Sequence, residues 1–196
     1  LSVHVGGKCE LNCAPCDCRT MPNDVAEAEK TLREGAERLV LRGAPGTSGD
    51  FVRFLRAARE GRVGEVVVRT NAHAFTTDAA ARGLAAEGVH VALVPLFSAD
   101  SALHDRIAGV PGALEKTVAG IRALRSAGLA IEVETPLLDP VRSTPAAVLD
   151  FAVSLVPDLR ALHVFLARWR LPGALAPPPM PVIATLVEAL SVRARQ

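Results

Sequence analysis

The stretch VHVALVPL, residues 89–96, decides how this chain folds. Its apolar residues run on almost without a break, as they do in a parallel strand covered by helices and buried on both faces. The flanks carry helix punctuation instead. Before it, Thr77 can cap the helical DAAARGLAAEG, which closes at Gly88; after it, GALEKTVAGIRALRSAG sets Leu114, Val118, Ile121 and Leu124 on one stripe and stops at Gly128.

Working outward, runs of the same kind recur at LSVHV (1–5), RLVLR (38–42), EVVVR (65–69), IEVETPL (131–137) and ALHVFLA (161–167). Six strands are therefore expected, with helices between them. Asp24 followed by Glu27 makes a capping-box candidate before VAEAEKTLREG, and Pro145 suits the first turn of a helix after Thr144. Parallel strands joined by helices need right-handed crossovers, which lead to an open doubly wound sheet or to a barrel. A full eight-unit barrel typically needs about 250 residues, more than this chain has. The expected fold is an α/β partial (β/α)6 TIM-like barrel over residues 1–170. Residues 171–196 then form a Pro-rich connector, LPGALAPPPMP, and a C-terminal amphipathic helix, VIATLVEALSVRAR, packing on the same domain.

Composition narrows the function. Apolar residues make up 49% of 196, which does not describe a disordered or fibrous chain. Lys and Arg number 22 against 21 Asp and Glu, so the charge does not indicate a nucleic-acid partner. No run of about 18 apolar residues is present to span a membrane, and the N-terminus lacks the pattern of a signal peptide. The expected compartment is the cytoplasm. Thiols stay reduced there, so clustered cysteines read as a metal or catalytic site and not as a disulfide frame.

All four cysteines fall within GGKCELNCAPCDC, residues 6–18. They lie past the C-terminal end of the first strand, where α/β folds place ligands, in a loop long enough to be functional in its own right. Gly6 and Gly7 can turn the backbone from the strand into that loop. Cys9, Cys13 and Cys16 are spaced C-x3-C-x2-C, with Cys18 two positions further on. Structural zinc commonly takes two separated C-x2-C knuckles, and the second is absent. An iron–sulfur cube takes one thiolate per iron, so a tight loop can supply three and leave the fourth iron open to an outside ligand. Cys18 is then a spare thiol, a catalytic cysteine, or a ligand that closes the cluster.

At these residues the chain resembles the radical S-adenosylmethionine (radical SAM) enzymes, whose signature is C-x3-C-x2-C on the loop after the first strand. LVLRGAPG (39–46) sits where that family has a glycine-rich segment after strand two, and VVVRTNA (66–72) looks like its strand three. HDRIAGVPGALEKTVAGIRALRSAGL (104–129) is similar to its approach to strand five. The resemblance covers roughly residues 1–140 and implies a 4Fe-4S cluster on Cys9, Cys13 and Cys16. It further implies that S-adenosylmethionine is chelated by the open iron and cleaved reductively to a 5′-deoxyadenosyl radical. A reductase, flavodoxin or ferredoxin would supply the electron, and the substrate would be a peptide or a small molecule. Two departures stand out. Where the family usually reads Gly-Gly-Glu-Pro, this chain has Gly43-Ala44-Pro45-Gly46, and Pro15 occupies a position where an aromatic commonly meets adenine.

The candidates for contact with S-adenosylmethionine are Gly43, Ala44, Arg69, Asn71, Ser98 and Glu134. Arg42 and Arg69 end strands at the expected ligand face, where a guanidinium can pair with a carboxylate. Thr70 and Asn71 end strand three, and Ser98 follows strand four. Turn chemistry accounts for Asn71 and Ser98 equally well. Glu132 and Glu134 alternate with apolar residues on strand five, so both can point into a barrel lumen. His104 and Asp105 resemble a structural pair preceding a helix, and Trp169 either lines the mouth or caps the core. Against the enzyme stand two further readings: a catalytically silent, cluster-bearing barrel that lacks the acid after strand two, and a zinc domain with Cys18 as fourth ligand.

Overall fold

The structure is a computed structural model that describes residues 1–14, 16, 25–43, 49–137 and 145–166. Six strands appear where the apolar runs place them: β1 (Ser2–His4), β2 (Arg38–Arg42), β3 (Glu65–Arg69), β4 (Val91–Pro95), β5 (Ala130–Leu137) and β6 (Ala161–Leu166). Between them lie α1 (Val25–Glu34), α2 (Gly49–Glu60), α3 (Asp78–Ala86), α4 (Ser101–Ala108), α5 (Ala113–Ser126) and α6 (Pro145–Leu155). All neighbouring strands pair in parallel, and their order in the sheet is their order in the sequence. A doubly wound sheet would reverse that order at its switch point. Sequential order with right-handed crossovers puts every helix on one face, and the sheet stays open as a partial barrel.

Period-two alternation divides the strand side chains between two cores. On the helix-covered face, Leu39, Leu41, Val66, Val68, Ile131 and Val133 join Leu32, Phe54, Ile121 and Leu124 of the helices in the main core. On the other face, Val67, Val91 and Leu93 form a smaller cluster with Val40 and Ala130 against it. The register Val40↔Val67↔Val91↔Ala130 makes that cluster a belt across four strands. Burial on both faces is the physical reason the runs are continuous.

The punctuation also holds where it is described. The Thr77 hydroxyl accepts the Ala80 N–H at 3.3 Å, Gly88 and Gly128 take φ of +85° and +90°, and Pro145 begins α6. Asp24 and Thr144 lie outside the described residues, as do Trp169, the connector at 171–181 and the expected C-terminal helix. One expectation is refined. His104 and Asp105 lie inside a short helix of their own, α4, which Asp100 caps by accepting the Leu103 N–H at 2.7 Å. No helix among the described residues is long and apolar enough to cross a membrane.

Candidate functional site

The cysteine loop leaves β1 through Gly6 and Gly7, with φ of +69° and +95°, a conformation open to glycine. Beyond the turn it leaves its own strand and settles on elements from the middle of the chain. Leu11 is buried with Phe97, Leu103, Ile107, Ala108 and Ala113, and Cys13 packs against this cluster. Backbone hydrogen bonds fix the descent: Asn12 N–H donates to the Ala108 carbonyl at 3.0 Å and Ala14 N–H to the Ile107 carbonyl at 2.9 Å. These carbonyls belong to the last turn of α4, which has no helical donor for them. Gly109, left-handed at φ +73°, keeps the corner clear, because a Cβ there would stand 2.8 Å from the Asn12 carbonyl oxygen.

None of Cys9, Cys13 and Cys16 is in a disulfide; the first is exposed and the others are half-buried. Cys16 N–H donates to the Cys13 carbonyl at 3.1 Å, a tight turn that folds the third thiol back toward the second. Burial pushes the Cys13 thiol up to about 12, reinforced by Cys16 and Cys9 and opposed by Arg69. Such a thiol is a poor free nucleophile at neutral pH, and a metal would displace its proton. Among the described residues no three His, Cys, Asp or Glu side chains stand close enough to hold one metal ion. A cluster does not ask for that, since each of its irons takes its own thiolate. Three thiols on one loop, one for each of three irons, are the donors such a cluster would take. Cys18 and Pro15 lie outside the described residues.

The other candidates divide. Arg69 and Glu134 meet on the concave face: Nε of Arg69 donates to Oε1 of Glu134 at 2.5 Å, and both side chains are mostly buried. Asn71 reaches the loop itself, its amide nitrogen 3.9 Å from the Cys9 sulfur. Its Oδ1 accepts the His73 N–H at 3.1 Å, so the turn role and the site role coexist. Thr70 and Ser98 are buried, and their hydroxyls accept the N–H groups of Ala72 and Asp100 at 3.1 and 3.0 Å. Gly43 has φ +118°, and a Cβ there would stand 2.5 Å from the Gly6 carbonyl and 3.3 Å from His4 Nε2. What comes close to Gly43 is the turn after β1. Ala44, Pro45 and Gly46 lie outside the described residues.

Glu132 also sits on the concave face, but nearer the opposite end of the strands. Arg38 of β2 donates to it at 2.6 Å, His163 Nε2 lies at 2.8 Å and Arg160 Nε at 3.5 Å. Burial pushes its carboxyl up, and the hydrogen bonds from Arg38 and His163 more than offset that, holding it below the usual range. Glu132 is thus partnered by protein on every side described, while Glu134 shares the cysteine end with Arg69.

The sequence does not single out Glu10, and His73 stands in it only as one of five scattered histidines. His73 opens a 3-10 turn (His73–Phe75) after β3; its ring is 3% exposed and its Nδ1 lies 2.6 Å from a Glu10 oxygen. Only their positions beside Cys9 and Asn71 could have drawn attention to them.

No family model matches the chain. It is 31% identical over 138 residues, 65% of its length, to an AdoMet-dependent heme synthase of Methanosarcina barkeri (strain Fusaro / DSM 804). It spans 39% of the length of that protein. Among solved structures it resembles Streptococcus suis SuiB bound to S-adenosylmethionine, with a TM-score of 0.72 and 16% identity over all of this chain and 44% of SuiB. SuiB bound to its precursor peptide SuiA gives 0.71 at 15% identity, over 97% of this chain and 44% of SuiB. The radical SAM enzyme coproporphyrinogen III oxidase (HemN) from Escherichia coli gives 0.64 at 16% identity, over 99% of this chain and 52% of that one. At these identities the likeness to the solved structures establishes the shared partial-barrel fold.

Proposed function

We propose that this chain is the barrel of a radical SAM enzyme, with a 4Fe-4S cluster on Cys9, Cys13 and Cys16 and S-adenosylmethionine as its second cofactor. The observation that carries the reading is three cysteines on one loop beyond the C-terminal end of β1, with Arg69 opposing the rise of the Cys13 thiol. The heme synthase relative and the shared fold support it. When bound, such a cluster supplies the electron that cleaves S-adenosylmethionine to methionine and a 5′-deoxyadenosyl radical, which takes hydrogen from the substrate.

The protein's own part is holding and orienting. Arg69 and Glu134 set one charge of each sign beneath the cysteine loop, suited to the carboxylate and ammonium of an amino-acid moiety. Glu134 supplies a carboxylate in a chain whose segment after β2 reads Gly-Ala-Pro-Gly. Asn71, Ser98, Gly43 and Ala44 complete the proposed contact set. The substrate is a peptide or a small molecule, and the electron comes from a flavodoxin-, ferredoxin- or reductase-type donor.

Anaerobic reconstitution with iron and sulfide is expected to give a brown protein that releases 5′-deoxyadenosine with dithionite and S-adenosylmethionine. Colour without that product would favour the silent barrel, and tight zinc without colour the zinc domain. Replacing Cys9, Cys13 or Cys16 by Ala should each abolish the colour, and Cys18→Ala should keep it. Arg69→Met and Glu134→Gln should keep the colour and weaken S-adenosylmethionine binding at least roughly tenfold, the size of one lost charge-assisted hydrogen bond.

A further inference from the structure

We propose that His73 is a positioning residue that clasps the cysteine loop to α5 through Glu10. The proposal rests on the cluster reading only for what the loop carries; the clasp itself is a matter of protein contacts. Glu10 lies between Cys9 and Cys13, and its half-exposed side chain reaches down to a ring that is almost wholly buried.

The ring is held from the other side as well. Nε2 lies 3.0 Å from the Ala113 carbonyl and 3.1 Å from the Thr117 hydroxyl, both on the first turns of α5. A carbonyl only accepts, so Nε2 carries the proton there. The Thr117 hydroxyl in turn donates to the Asn71 carbonyl at 3.3 Å. Asn71 is the residue whose amide faces Cys9. One histidine thereby ties the acid that follows Cys9, the start of α5 and the residue beside the Cys9 sulfur into a single network.

The backbone is arranged for this contact. Ala72, at φ +66°, is one of only two non-glycine residues with positive φ among those described, a conformation that neighbouring structure must enforce. Gly120 of α5 makes room for it, because a side chain there would overlap the Ala72 carbonyl. The turn carrying His73 is thus pressed onto α5, and the ring has little choice of direction.

The clasp is tested by hydrogen exchange at the Asn12 and Ala14 amides and by the rate of thiol labelling at Cys13, both on the metal-free full chain. Glu10→Ala is the primary variant, because a half-exposed side chain can be removed without emptying the core; His73→Phe is the second. A carboxylate only accepts, so the 2.6 Å contact is favourable only with a proton on Nδ1 as well, and the amide oxygen of Glu10→Gln can accept that proton in the carboxylate's place. Glu10→Ala is expected to speed exchange and labelling roughly tenfold, the loss of one polar contact between the carboxylate and the buried ring. Glu10→Gln should stay within about threefold of the parent, and the double variant Glu10→Ala/His73→Phe should label no faster than the faster single variant. Iron retained after reconstitution should fall in the same order. Exchange within twofold of the parent in Glu10→Ala, or equal speeds in Glu10→Ala and Glu10→Gln, would overturn the clasp. Failure of the parent itself to take up iron would overturn the cluster reading and leave the exchange test intact.

Discussion

At the scale of single residues, Gly43 makes the sharpest claim. Its φ of +118° alone would tax any side chain, and Gly35 at φ +96° provides the comparison because nothing lies within 4 Å of the Cβ it lacks. Gly35→Ala should cost about 1 kcal/mol of unfolding free energy, the conformational part by itself. Gly43→Ala should cost at least about 1 kcal/mol more, since its Cβ also meets the Gly6 carbonyl. Urea unfolding of the two variants measures the difference; equal costs would mean that the turns after β1 and β2 do not bear on each other.

At the scale of elements, α5 offers a test of sign. Gly83 of α3 and Gly120 of α5 both sit inside helices, where Ala is normally favoured over Gly by up to about 1 kcal/mol. Gly83→Ala, with open space around it, should stabilise the fold, and Gly120→Ala should destabilise it by pushing α5 off the Ala72 turn. Thermal melts that move in the same direction for both would refute the close approach.

The short helix α4 carries a second test. Burial holds the His104 pKa down at about 4 against an ordinary 6.5, with Asp105 pulling the other way, and its Nδ1 accepts the Phe97 N–H at 3.3 Å. As pH falls through 6.5 the unfolded chain takes the proton first. The stability present above 6.5 is therefore lost progressively down to about 4, by roughly 3 kcal/mol. His104→Asn, whose carbonyl can still accept from Phe97, should lack this slope. A parent-minus-variant difference that does not change between pH 7 and 4.5 would contradict the burial. Asp105 does different work, accepting the Gly112 and Leu114 N–H groups at 2.5 and 2.9 Å to cap α5. Those bonds hold its carboxyl below the usual range although burial opposes them.

The same two helices show what the sequence could and could not disclose. Strands were legible because burial on both faces writes itself as unbroken Val and Leu, and α3 and α5 because their caps are local. α4 was not, since eight residues give barely two turns of periodicity and its apolar side chains answer to Leu11, a partner far off in sequence. The C-x3-C-x2-C spacing stood out because it is local. Glu10 and His73 were hidden for the opposite reason: their meaning lies in a pairing between two loops that no local pattern encodes.

At the scale of the molecule, Glu132 links the first half of the sheet to the last. It is 2% exposed and gathers Arg38, Arg160 and His163, while Glu65 pairs with the same two arginines. Glu132→Ala would leave Arg38 and Arg160 with Glu65 alone and should cost about 3 kcal/mol. Glu132→Gln, which keeps an acceptor, should cost less. Chemical denaturation decides it, and a cost below about 0.5 kcal/mol would show that the two ends of the sheet hold together without this network.

The docking of the loop after β1 onto α4 and α5 also sets an order of events during synthesis. Residues 9–16 emerge from the ribosome roughly a hundred residues ahead of Ala108, Ala113 and Thr117, which is about 5–20 s at ~5–20 residues per second. For that interval the thiols have been made but the surface that shapes their loop has not. Whatever they hold is fitted last, into a socket that the later half of the polypeptide has to finish first.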